Sequence, residues 1–147
     1  LHPNDAPSAI TRLLDMGVES FLLSSTVRGI LAQRLLRTIC PQCKEIDCSG
    51  ADAEEFKALG MVGNVSLYKG CGCESCSHTG FFGRKGIFEL LVIDDEIRKL
   101  ILASADANQI RAVARQRGMR TLLEDGIKKI EAGETTLNEV FRVTQEA

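Results

Sequence analysis

The sequence predicts an α/β protein with an inserted, loop-rich cysteine subdomain and a helical C-terminal subdomain. Three observations predict it. All six cysteines fall between Cys40 and Cys76, and residues 40–82 also hold six of the 13 glycines. Directly after them comes "RKGIFELLVI" at 84–93, apolar apart from Glu89 beyond its first basic pair, which suits a buried strand. Helical periodicities with capping residues occupy both ends of the chain.

The chain has 147 residues, enough for one ordinary domain or two small ones, and opens on Leu1, as a cut or processed start would. With 44% hydrophobic and 26% charged residues, its composition is that of a soluble globular protein. No apolar run approaches the roughly 18 residues of a membrane span, and no secretory-signal pattern occurs. Direct membrane insertion is therefore not expected. The net charge of −2, with one Tyr and no Trp, argues against a nucleic-acid partner, which would want a basic surface and stacking rings.

Taken in order, "NDAPSAITRLLDMG" at 4–17 reads as a short helix. Asn4 or Asp5 can cap it, Ile10, Leu13 and Leu14 form its stripe, and Gly17 ends it. A second helix starts near Glu19 or Ser20 and carries Phe21, Leu22 and Leu23. The stretch 27–39, "VRGILAQRLLRTI", is ambiguous. Its pattern slightly favours a helix, while Val27, Leu31, Leu35 and Ile39 also fit an alternating strand that Gln33 and Arg37 interrupt. Within 40–82 only "DAEEFKALG" at 52–60 looks helical. After the strand at 84–93 come four helices. Asp94 or Asp95 caps the first, Gly118 closes the second, and Thr121 with Glu124, then Thr136 with Glu139, stand at capping-box spacing before the last two.

The chemistry lies in the cysteines. Cys40 and Cys43 form one C-x-x-C, and Cys73 and Cys76 form another. Each such knuckle points two thiolates at one ion, and two of them complete a tetrahedral Zn²⁺ shell. Four thiolates leave no open position, so the zinc would be structural. Three rivals compete. Disulfides suit an oxidising compartment, which nothing here indicates. A redox C-x-x-C would follow a thioredoxin-like pattern, which is missing. Iron shares the ligand set and is not separated from zinc by spacing. Cys48 and Cys71 are left over as spare thiols, and His78 as a residue beside the site. Arg37, Lys44, Lys69, Arg84 and Lys85 lie close in sequence and are expected to offset part of the charge of a tetrathiolate centre.

No G-x-x-x-x-G-K-[ST], G-x-S-x-G or H-E-x-x-H occurs, and "GFFGRKG" at 80–86 has neither the spacing nor the ending of a phosphate loop. By motif alone the chain is a zinc-stapled structural or interaction module.

"LHPNDAPSAITRLLDMGVESFLLSS", "GILAQRLLRTICPQCK" and "GCESCSHTGFFGRKGIFELL" together resemble the C-terminal part of the type II secretion ATPases and their type IV pilus assembly relatives, over essentially the whole chain. The resemblance implies the end of a RecA-like motor core at 1–39, a tetracysteine zinc subdomain at 40–83, a returning core strand at 84–93 and a helical subdomain at 94–147. It also implies a strand, not a helix, for "GILAQRLLRTI". "LHPND" resembles the end of the family's histidine box, with Pro3 in place of Thr, which makes His2 the box histidine. Family counterparts of Arg12 and Arg84 approach nucleotide phosphates.

The implied parent uses ATP and Mg²⁺ in a homo-hexamer that drives pseudopilus assembly. It sits in the cytoplasm, peripheral to the bacterial inner membrane, against the secretion platform proteins. The nucleotide-binding loop and acidic boxes would lie upstream, so this stretch alone is expected to be inactive. "DMGVESFLLSS" and "FRVTQEA" resemble the secretion branch more than the pilus branch. The competing reading is a free-standing zinc-ribbon binding module.

Overall fold

The structure is a computed structural model and describes residues 5–48 and 66–145. The helix expected at 52–60 and the histidine-box residue His2 lie outside them. Among the described residues the order is α1 (Ala6–Asp15), α2 (Ser20–Thr26), β1 (Gly29–Ile39), β2 (Lys44–Ile46), β3 (Tyr68–Gly70), a 3₁₀ turn (Glu74–Cys76), β4 (Phe81–Val92), α3 (Asp95–Leu102), α4 (Ala107–Gln116), α5 (Leu122–Glu131) and α6 (Leu137–Gln145). β1 pairs with β4 and β2 with β3. The chain divides into two units, Leu1–Gln33 with Phe88–Leu122, and Arg34–Ile87 with Leu123–Ala147. Both β1 and β4 contribute residues to both units.

In the first unit, α1 packs on α4, α2 on α3, and α3 on α4. The helices start where the sequence predicts. Asp5 accepts the Ser8 N–H at 2.9 Å, and Asp94 accepts those of Glu96 and Ile97. Asp106 and Gln109 form a reciprocal capping box at the start of α4. Ile10, Leu23, Leu91, Ile93, Ile97, Ile101 and Ile110 make the core. β4 runs antiparallel beside β1, since Ile93 donates to the Arg28 carbonyl and Gly29 faces that of Leu91.

One carboxylate sits within this apolar core. Glu89 is 3% exposed, and its two oxygens accept the Ala6 N–H at 2.8 Å and the Leu122 N–H at 3.2 Å. A single side chain thus satisfies an orphan donor at the start of α1 and another at the start of α5. Burial nevertheless pushes its carboxyl above the usual range, and these two N–H groups oppose the push.

In the second unit, Leu36, Ile39, Ile87, Ile130, Leu137, Val140 and Val143 are buried. The Thr135 hydroxyl donates to the Arg37 carbonyl at 2.8 Å, and the Ile39 N–H to the Glu134 carbonyl at 2.9 Å, so the α5–α6 corner is tied to β1. Gly126 lets the helices approach: a Cβ there would come within 2.6 Å of the Val140 side chain.

Two expectations are corrected. β4 is not buried on both faces. Ile87, Glu89, Leu91 and Ile93 point inward, whereas Phe88, Leu90 and Val92 are exposed. In β1, a strand as the resemblance implies, Ala32, Leu36 and Ile39 are the buried positions, and Leu31 and Leu35 lie on the exposed face. Both strands carry apolar residues on two faces, so hydrophobicity alone does not say which face is inward.

Candidate metal centre

The four cysteines are assembled by local backbone geometry. Cys40 follows β1, and a tight turn at 41–42 leads to Cys43, immediately before β2. β2 and β3 pair antiparallel with Lys44 opposite Gly70, Glu45 opposite Lys69 and Ile46 opposite Tyr68. This register sets the first knuckle beside the start of the second, and the Cys71 N–H extends the ladder to the Cys43 carbonyl at 3.1 Å. The Cys40 N–H closes the other side on the Gly80 carbonyl at 3.0 Å.

The second knuckle is the 3₁₀ turn, with Cys73 at its N-cap. Ser77 and His78 follow with φ of 50° and 59°, two consecutive left-handed residues that reverse the chain around Cys76. The His78 and Thr79 N–H groups fold back onto the carbonyls of Cys73 and Cys76. Gly70 and Gly80 meet where the segments entering and leaving the knuckle cross. A Cβ on either would overlap the other's carbonyl, so only glycine fits.

The result is a compact four-sulfur group. Cys40 and Cys73 Sγ are 3.8 Å apart, Cys43 and Cys76 3.9 Å, and Cys73 and Cys76 3.7 Å. All four sulfurs lie within 4.8 Å of one another. Tetrahedral zinc–thiolate bonds of about 2.3 Å give sulfur–sulfur edges of about 3.8 Å. The donors therefore fit a tetrahedral thiolate-bound metal. They do not match disulfides, which need about 2 Å, and all six cysteines are free. Cys40, Cys43 and Cys76 are buried, and Cys73 is half-buried against them. Cys48 and Cys71 are exposed and outside the group, Cys71 directing its thiol to the Cys43 carbonyl at 3.3 Å. His78 is exposed and also stands outside it.

Backbone N–H groups point at the sulfurs. Gly72 donates to Cys43 at 3.3 Å, and Cys73 and Gly80 donate to Cys76 at 3.2 and 3.3 Å. The Cys73 N–H, against burial and with the help of Gly80, draws the Cys76 thiol down to about 6. Burial pushes Cys43 the other way. A cluster of thiols in contact ionises together only if a cation takes up the charge.

The basic residues expected to offset that charge are largely engaged elsewhere. Lys85 pairs with Glu134 at 2.7 Å, Lys69 with Asp47 at 3.4 Å, and Lys44 lies over the Tyr68 ring. Arg37 is held by Glu139 through Nη2 at 2.7 Å and Nε at 3.0 Å. The N–H donors, which no sequence pattern announces, are the groups that touch the thiols.

Of the other sequence-derived candidates, Arg12 is exposed on α1 in the first unit. Arg84 is exposed on β4 in the second, where it lines an open pocket of about 470 Å³ with Leu35, Arg37 and Arg142. From sequence, Arg37 is expected only to offset charge and Glu139 only to cap its helix. Thr136 does accept the Glu139 N–H at 3.3 Å, but the carboxylate turns to Arg37 and Arg142. The signal was faint: an Arg three residues from Glu139 on one helix face.

Comparison with known proteins finds the same family along the chain. The family model described as "Type II/IV secretion system protein" matches residues 1–142. The type IV pilus assembly ATPase PilB of Thermus thermophilus is 49% identical over 99% of this chain and 17% of its own length. The type II secretion system protein HxcR of Pseudomonas aeruginosa is 46% identical over 100% of this chain and 28% of its own. The type II secretion system ATPase E of Vibrio cholerae is 44% identical over 100% of this chain and 29% of its own. The chain thus spans less than a third of the length of these relatives. The crystal structure of the pilus retraction motor PilT with bound ADP shares the fold, with a TM-score of 0.58 at 22% identity, covering 97% of this chain and 30% of that one. With the family model matching nearly end to end, and a mixed α/β fold that matches part of a pilus motor and carries a tetracysteine cluster, the chain belongs to the type II/IV secretion system protein family.

Proposed function

We propose that the chain is the C-terminal region of a hexameric ATPase that couples ATP hydrolysis to pseudopilus assembly and protein export in type II secretion. The observation that carries this reading is the alignment of the whole chain with relatives named as secretion and pilus assembly ATPases. In this reading the parent sits in the cytoplasm, peripheral to the inner membrane, between neighbouring subunits of a homo-hexamer and the platform proteins. Among the described residues, no helix is long and apolar enough to cross a membrane. A pilus assembly role is the second reading, supported by the 49% identity to PilB.

Residues 40–83 act as the zinc subdomain, with Cys40, Cys43, Cys73 and Cys76 holding one Zn²⁺. The ion supplies a structural crosslink, since four thiolates fill its coordination shell. Residues 1–39 and 84–93 belong to the motor core, and 94–147 form the helical subdomain. His2, Arg12 and Arg84 serve nucleotide: His2 in coupling its state to conformation, the arginines at its phosphates. Catalysis by the parent requires a phosphate loop and Mg²⁺ ligands outside this stretch, so the 147-residue chain alone turns over no ATP.

The test is ATP turnover by the longer gene product. The expected result is a zinc-containing hexameric ATPase whose rate falls at least about tenfold on Arg84→Ala with zinc and assembly retained. A longer product without ATPase activity under any assembly condition refutes the reading.

A further inference from the structure

Glu139 is a fully committed carboxylate of the second unit. Its side chain is 2% exposed and sits between two guanidinium groups. Arg37 binds one oxygen through Nε and Nη2, at 3.0 and 2.7 Å, and its backbone N–H binds the other at 2.8 Å. Arg142 grips both oxygens through Nε and Nη2, each at 3.0 Å. Burial works to raise the Glu139 carboxyl, but Arg142 and Arg37 overcome it and hold the group at about 2. The carboxylate therefore stays charged and anchored.

The arginines are not buried with it. Arg37 and Arg142 remain 48% and 43% exposed, and both line the open pocket that also contains Arg84. The Phe81 ring stacks 4.3 Å from the Arg37 guanidinium carbon and fixes its plane. The Glu139 bonds leave Nη1 of Arg37 out of the pairing. Arg84 lies opposite on β4 and, among the described residues, makes no ion pair with a carboxylate. Two guanidinium groups thus share one carboxylate, and a third joins them in lining one concavity. A structural tie between β1 and α6 would need neither the third arginine nor the opening.

We propose that the Arg37–Arg84–Arg142 pocket is an anion site for phosphate groups, with Glu139 as the positioning residue that sets two of its three arginines. This deepens the reading of Arg84 as a phosphate contact and rests on it for the identity of the ligand. The planar fork of a guanidinium matches two oxygens of one phosphoryl group, and a pair of linked phosphates offers enough oxygens for three forks. Arginines already locked by a buried carboxylate and a ring lose little side-chain freedom on binding. The same chemistry is presented by a nucleotide polyphosphate tail and by free pyrophosphate.

The experiment titrates the zinc-loaded 147-residue chain with inorganic pyrophosphate and, separately, with ADP, at low ionic strength, by calorimetry and amide NMR. Saturable binding with shifts centred on residues 35–37, 82–84 and 139–142 is expected, weakening as salt is raised. Arg84→Lys and Arg142→Lys keep the charge but lose the fork. Each is expected to weaken binding about tenfold or more, while Lys128→Ala on the exposed face of α5 leaves it unchanged. Zinc content and far-UV circular dichroism confirm that each variant is folded. Tighter binding of ADP than of pyrophosphate supports a nucleotide as the source, and equal binding supports the phosphates alone. No saturable binding of either, or equal weakening by Lys128→Ala, overturns the proposal. Pyrophosphate binding by the chain alongside unchanged ATP turnover in the longer Arg84→Ala protein supports the anion site and removes the nucleotide role of Arg84.

Discussion

Two buried carboxylates show how the same residue type is set to opposite tasks. Glu139 is held low by two guanidiniums, so its folded pKa of about 2 lies below the unfolded value near ~4.3. Its contribution is fully present above about pH 4.3 and lost as pH falls toward 2. Glu89 is shifted upward by burial, so the sign reverses. The folded state holds its proton more tightly than the unfolded state, and stability declines as pH rises through the window above the unfolded pKa. Urea denaturation of Glu139→Gln should show a loss of about 1–3 kcal/mol at pH 7 and a shallower acid limb. Glu89→Gln mimics the protonated carboxyl, with one carbonyl acceptor, and should cost less than about 1 kcal/mol at low pH while flattening the decline above it. A Glu89→Gln variant that declines as steeply as the parent would contradict this assignment. The sequence displayed both residues but not their roles. Glu89 stood out as the lone acid in an apolar strand, and nothing local revealed that it caps helices far away in sequence.

The four-cysteine cluster was the most legible element, because the spacing of two C-x-x-C knuckles encodes a local geometry. Its supports were not legible. The glycine pair Gly70–Gly80, the left-handed Ser77 and His78, and the N–H groups aimed at Cys43 and Cys76 follow from how the β2–β3 register brings the knuckles together. Gly80→Ala combines a φ of +77° with a backbone overlap. It is expected to lower zinc retention during dialysis against a mild chelator, whereas Gly118→Ala, with φ of +95° but open space around it, costs stability and leaves zinc in place. Equal zinc retention in the two variants would mean that the glycine crossing does not shape the site. β1 taught the opposite lesson. Its apolar residues on both faces defeat a periodicity test, and only the resemblance made it a strand. The fully buried face expected of β4 failed for the same reason, since a two-faced strand does not declare which side the described chain covers.

At the scale of the whole molecule, the four-cysteine cluster is the feature whose loss would reach furthest. Structural zinc adds on the order of 10 kcal/mol to the folding of small thiolate domains, comparable with the whole stability of a typical domain. Removing it is expected to unfold the cysteine segments first, read by loss of amide protection at 40–48 and 66–80 before α1–α4. The most direct measurement is metal stoichiometry on protein purified without chelator. One zinc per chain is expected, lost in Cys40→Ser and in Cys73→Ser, and retained in Cys48→Ser and Cys71→Ser. Protein that is folded and free of both zinc and iron, or zinc that departs with Cys71 and stays without Cys73, would contradict it.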